Sequence, residues 1–259
     1  MKEIYGDIAI RIDGAVAMIE IDRPPHNHVN VALIRDLADV LSDIDTDRAL
    51  RVSVLASAGK NFCAGADLTA PDRIGAGEGQ GIGSLYEEAV RIFAGRKPMV
   101  AAIQGAAVGA GLGLALVADF RVAAPEARFA ANFVKLGFHP GFGISHTLPR
   151  LIGVQKAALM CLTGRRIKAE EALAWGLVDE VVPLDRLRAA ATALAREIAE
   201  NAPLAVQSTR ATLRRELAEV VRAQTTHELG EQTRLRQTAD YAEGVRAVSE
   251  RRPGNFTGA

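Results

Sequence analysis

Cysteine is nearly absent from this chain of 259 residues: only Cys63 and Cys161 occur, far apart and without a C-x-x-C spacing. That argues against a disulfide framework or a zinc site and fits a reducing, cytoplasmic compartment. The chain also lacks an excess of charge of either sign. Lys+Arg and Asp+Glu each number 31, a formal net charge of zero. A broad nucleic-acid-binding face needs a basic excess, so no nucleic-acid partner is expected, although a local basic pocket for an anionic ligand is not excluded. The first residues carry Lys2, Glu3 and Asp7 and no apolar run of the secretory kind. One stretch, Met99 to Ala118, is uncharged and about long enough to span a bilayer. It holds Gln104 and glycines 105, 109, 111 and 113, with Lys97 and Asp119 close by. A buried strand–turn–helix is therefore expected there, and no membrane partner.

Several familiar loops are missing as well. Gly109-x-Gly111-x-Gly113 is not spaced as the dinucleotide-binding G-x-G-x-x-G. Gly59-Lys60 follows a strand, but Asn61 stands where a phosphate loop has Ser or Thr, and there is no G-x-S-x-G elbow.

What is present is a regular succession of elements. Ile8–Ile12 and Val16–Ile21 read as strands joined at Asp13-Gly14. Leu33, Leu37, Leu41 and Ile44 fall on one face of a helix. Strands follow at 52–55, 100–103 and 120–122. A glycine-rich loop is expected over 69–83, with a helix from about 84 to 95 and another from about 109 to 118. Beyond about residue 144 the pattern predicts helices only, near 144–152, 154–162, 168–175, 186–200, 203–222, 224–240 and 243–251, with Pro203 at a helix start. Apolar helix faces beyond one core suggest contacts between subunits.

Two turns of small residues are the places where chemistry can sit. The first is Phe62-Cys63-Ala64-Gly65-Ala66-Asp67-Leu68; the second runs from Gln104 to Gly113 and leads into a helix. Small residues allow a ligand close to the backbone, and a helix N-terminus offers unpaired amides and partial positive charge. One amide from each turn makes an oxyanion hole, in which a single donor contributes about 2.7–4 kcal/mol. Close packing alone also accounts for either cluster by itself.

The two turns in this order, with Arg23-Pro24-Pro25 and Asn27 before them and Thr163-Gly-Arg-Arg-Ile167, Ala169–Pro183 and Asn201-Ala-Pro203 after them, resemble the crotonase superfamily over almost the whole chain. The resemblance implies an α/β fold, a ββα spiral core (residues 1–200) with a C-terminal helical trimerisation region (201–259) in one domain, and a homotrimer or a dimer of trimers. It implies no permanently bound cofactor and a coenzyme A thioester as substrate, its carbonyl between the amides of Ala66 and Ala110. Ala64, Ala66, Asp67, Leu68, Thr69 and Arg23 would line the CoA side. Arg251 matches a basic position that approaches a neighbouring subunit's ligand, and a solvated helix-end charge is an equal reading of it. The acyl pocket would take Gly113, Phe133, Phe138, Gly141 and Phe142.

The resemblance also shows a departure. The family's two hydratase glutamates fall on Gly113 and Phe133, and its isomerase and dehalogenase acids on Gly141 or Phe133. None of these moves a proton, and a general acid or base typically contributes about 10²–10⁴-fold. His139 and His146, beside the emptied positions, are the candidate replacements. Three readings follow: an enzyme that stabilises a thioester enolate, a decarboxylase of a malonyl-type thioester, and a non-catalytic acyl-CoA binder.

Overall fold

The computed structural model describes residues 2–67 and 81–259. Strands β1 (Ile4–Tyr5), β2 (Ile8–Asp13) and β3 (Val16–Ile21) form an antiparallel meander, Ile10 facing Ile19. From β3 the sheet continues in parallel through β4 (Val52–Ser57), β5 (Met99–Ile103), β7 (Phe120–Ala123) and β10 (Glu180–Val181). The composition explains the change. β2 exposes alternate residues, whereas every residue of β4 and β5 is buried, as parallel strands covered on both faces require.

One cover is α1 (Val31–Thr46) with α2 (Ile82–Phe93). α1 starts where the Asn30 side chain accepts the Leu33 amide at 2.9 Å and buries Leu33, Leu37, Leu41 and Ile44. The other cover is α7 (Leu187–Ala199), whose Leu187, Ala191 and Ala195 pack on Val52, Val54, Val100 and Val122. A second, smaller sheet sets β6 (Ala106–Val108) beside β8 (Arg128–Ala130), which pairs with β9 (Arg166–Lys168). The uncharged stretch from Met99 therefore becomes β5, β6 and the short helix α3 (Ala110–Ala115), and no described helix is long and apolar enough to cross a membrane.

Helices α4 (Ile144–Ile152), α5 (Val154–Thr163) and α6 (Ala169–Trp175) fall where the periodicity places them. The region after them is divided differently. Instead of breaking near 223, the chain ends α8 (Pro203–Leu213) early, turns through Glu216 at φ 63°, and runs one long α9 (Leu217–Leu235) before α10 (Ala239–Ser249). The turn is held from the sheet side. Asp119, which also accepts the Met99 amide, receives Arg210 at 2.8 Å and Arg214 at 3.0 Å. Burial works against the Asp119 charge, but the two guanidiniums outweigh it and hold the carboxyl below its ordinary range. The short strands β1, β6 and β8–β10 were not expected from the sequence pattern; each is two or three residues long and exists through its partners.

Candidate active site

The two small-residue turns lie against each other. Cys63 and Ala107 pair as an isolated bridge, with the Cys63 amide donating to Ala106 (2.8 Å) and the Val108 amide to Cys63 (3.1 Å). Two glycines permit this approach. A side chain on Gly65, which has φ +92°, would stand 2.7 Å from the Val108 carbonyl oxygen; one on Gly111 would run into the Cys63 carbonyl, 2.8 Å from its carbon. The turn around 58–61 is stitched on by Asn27, which donates to the carbonyls of Ala58 and Asn61 at 2.8 Å each, and by Gln104, which donates to Ser57 at 2.6 Å. Cys63 is fully buried and its thiol is pushed up to about 12 by burial, so it packs and does not attack.

A cavity of about 320 Å³ opens where the turns meet, and Ala64, Ala66, Asp67 and Ala110 line it together. Neither the Ala66 nor the Ala110 amide donates to an acceptor among the described residues; Ala110 is the first residue of α3, where such amides are free. His28 stands at the rim, its Nδ1 donating to the Gly65 carbonyl at 3.1 Å. Phe133, Phe138, Gly141 and Phe142, all expected in an acyl pocket, line the same cavity. Phe138 packs edge-on against Phe133 and Tyr241.

The positions lacking an acid are filled. A side chain on Gly113 would lie 2.7 Å from the Phe142 ring, so Phe142 occupies the space a longer residue there would need. A side chain on Gly141 would run into the Tyr86 hydroxyl and stand 2.6 Å from Gln232 Nε2. Tyr86 donates to Gln232 Oε1 at 3.0 Å, and Gln232 Nε2 donates to the His139 carbonyl at 2.8 Å, which fixes the orientation of the amide. Burial, reinforced by the nearby Glu228 charge, pushes the Tyr86 hydroxyl up.

Other expected residues lie elsewhere. The ring of His139 faces a second, mostly apolar cavity beside Pro140, Pro149 and Cys161, and its Nδ1 donates to the Pro140 carbonyl at 2.8 Å. His146, on α4, lines neither cavity; burial and the adjacent Arg150 lower its pKa. Neither histidine is brought to the amides, because the chain reverses at Gly141–Gly143 and directs Phe142 inward instead. Arg23 is engaged with Asp7 (3.0 Å) and the His28 carbonyl (3.0 Å), off the cavity lining. Arg251 is exposed, two residues past Ser249, the last residue of α10 and part of the lining. Leu68, Thr69 and most of the glycine-rich loop fall outside the described residues.

Among the lining residues that had no part in the sequence reading are Tyr86 from α2, and Gln232 and Arg236 at the end of α9. A signal for Gln232 exists. The buried stripe of α9 runs Leu217, Val221, Thr225, Glu228, Gln232, and polar residues on a stripe that faces the core mark a site or a cap. Glu228 is the cap. It accepts the Gly143 amide at 2.8 Å, the Ser145 amide at 3.2 Å and the Ser145 hydroxyl, at the start of α4.

An α/β spiral with a covered sheet, two converging backbone turns and an apolar cavity between them defines a crotonase-fold protein. The chain belongs to the enoyl-CoA hydratase/isomerase family, enzymes acting on acyl-CoA, whose model matches residues 11–259. It is 35% identical over 260 residues to a probable enoyl-CoA hydratase of Rhodobacter capsulatus, covering 98% of this chain and 99% of that one. It is 36% identical over 259 residues to the (E)-benzylidenesuccinyl-CoA hydratase of Thauera aromatica, covering 97% and 99%. The crystal structure of an enoyl-CoA hydratase/isomerase from Pseudoalteromonas atlantica superposes with a TM-score of 0.88 at 31% identity, over 97% of this chain and all of that one.

Proposed function

We propose that the protein binds an acyl-CoA thioester with its carbonyl oxygen between the amides of Ala66 and Ala110 and lowers the barrier to forming the thioester enolate. The observation that carries this reading is the convergence of two unpartnered amides, one from each turn, on one apolar cavity. An enolate places negative charge on the former carbonyl oxygen. Fixed donors in a water-poor site stabilise that charge more than the neutral ground state, which is what raises a rate. Ala64 and Asp67 are assigned to the CoA side, and Phe133, Phe138 and Phe142 to the acyl group. The exposed Leu162, Leu204 and Leu213 support the expectation that subunits pack together, as a trimer or a dimer of trimers.

The crowding at Gly113 and Gly141 favours a second, narrower reading: decarboxylation of a malonyl-type thioester. Loss of CO₂ leaves its electron pair on the α-carbon and so forms the enolate with no base to remove a C–H proton. A side-chain carboxylate at the emptied positions is then not needed.

Difference infrared spectroscopy of a bound acyl-CoA labelled with ¹³C at the thioester carbon tests the amide pair. The carbonyl stretch is expected to fall on binding; an unshifted stretch in a saturated complex overturns the assignment. Turnover of enoyl-, malonyl- and hydroxyacyl-CoA, measured beside binding, then selects the reaction. Turnover of none of them with micromolar binding points to a binder.

A further inference from the structure

Among the described residues Arg236 has no anionic or hydrogen-bonding side-chain partner. It is the residue that ends α9, one turn after Gln232, and it is the one guanidinium lining the cavity among the described residues. Its side chain makes no hydrogen bond or ion pair there, and its Nε is buried and unpartnered. Among the described residues the group rests against aromatic faces, its Cζ 5.6 Å from the centre of the Phe138 ring and 5.5 Å from that of Tyr241. The residue as a whole is half-buried, with its Nε enclosed, and a guanidinium that lines an apolar cavity without an ion pair among the described residues is a socket for an anion.

We propose that Arg236 binds a carboxylate carried by the acyl group, so that the substrate class is a carboxyacyl-CoA, a thioester of a dicarboxylic acid. This deepens the enolate reading and rests on it. A guanidinium offers two parallel N–H donors that match the two oxygens of a carboxylate, and the apolar surroundings strengthen the pair. Its place in the cavity assigns the partner to the acyl group rather than to CoA phosphates. The CoA side is given to the turn of Ala64 and Asp67, whereas Arg236 adjoins Phe138 and exerts its charge on Tyr86, beside Gly141. The lining's one described carboxylate, Asp67, belongs to that turn.

Matched pairs of CoA derivatives test this: glutaryl-CoA against valeryl-CoA, equal in chain length, and the corresponding thioethers, in which a methylene replaces the thioester carbonyl. Isothermal calorimetry on the full chain is expected to show the carboxylated member binding about 10–100-fold tighter, the range of a hydrogen bond between charged groups. Arg236→Gln is expected to remove that preference while leaving the affinity for free CoA unchanged, and Arg236→Lys to restore part of it. Absence of a preference in the wild type, or an equal loss for both members and for free CoA in Arg236→Gln, overturns the proposal. If a variant melts early, the wild-type preference and its decline with added salt decide alone. The thioether pair separates the two readings. It keeps the carboxylate preference if Arg236 acts as proposed even where the amide pair fails, and loses it if Arg236 does not.

Discussion

The lining that holds Ala66 and Ala110 and the lining around Gly141 and Phe142, against which Gly113 packs outside the lining, share one cavity and are made of different material. In the first, main chain meets main chain, glycines 65 and 111 remove the side chains that would keep the turns apart, and the useful groups are amides. In the second, glycines make room for bulky side chains from elsewhere: Phe142 beside Gly113, and Tyr86 and Gln232 beside Gly141. The same residue type thus serves opposite ends, approach of backbone in one region and filling by side chains in the other. On the reading proposed above, the first region would serve any acyl thioester alike, because every one has the carbonyl, and the second would select among acyl groups.

If that contrast holds, the largest effect comes from the backbone region. Gly111→Val should lower turnover by at least about 10²-fold, the loss of one amide donor, and destabilise the fold by about 1–3 kcal/mol or more through overpacking against Cys63. Steady-state kinetics at saturating thioester, with a denaturant melt in parallel, reads both. A variant with full turnover would show that the turns need not touch.

A smaller but sharper effect is expected in the side-chain region. Gly113→Glu restores the residue that the resemblance places there in hydratases, yet it should not restore hydration. Its side chain collides with Phe142, and the fold should lose about 2–3 kcal/mol. The pair Gly113→Glu with Phe142→Gly should recover most of that loss. It removes the ring and its Cβ at a position whose φ of 61° suits glycine. Hydration of crotonyl-CoA by the single variant, with normal stability, would break the claim that Phe142 has taken the space.

The sequence carries the first region far better than the second. Its glycines and alanines fall in two contiguous runs after buried strands, so the turns are marked in the sequence, and the resemblance names Ala66 and Ala110 within them. The second region is assembled from positions 86, 113, 141, 142, 232 and 236, which meet through helix packing, and no short window contains the pattern. The same limit misplaced the C-terminal helices. Glu216 takes a left-handed turn without being glycine, because Asp119 holds Arg210 and Arg214 on either side of the helix end, and a contact across the fold leaves no local mark. The histidines at 139 and 146 are near Gly141 in sequence, but the reversal through Phe142 and Gly143 turns them from the amides.

The most gradual expected effect, spread over about three pH units, concerns what holds the second region's turn. Glu228 anchors Gly143 and Ser145 directly behind Phe142. Burial pushes its carboxyl up to about 7 from an ordinary 4.5, the hydrogen bonds from Ser145 and Gly143 opposing the rise only in part. With the folded value above the unfolded one, the unfolded chain gives up the proton first as pH rises. This group's contribution is therefore fully present below about 4.5 and is lost as pH climbs through about 7, up to about 3 kcal/mol in all. Glu228→Gln cannot titrate, so the stability of the wild type minus that of the variant should fall between pH 4.5 and 7.5 and level off above. Carboxylates with lowered values, such as Asp119, act in the opposite sense at more acid pH and cancel in the difference. Denaturant melts of both proteins across that range measure it. A flat difference would mean that Glu228 is already ionised throughout, and that its three hydrogen bonds outweigh its burial.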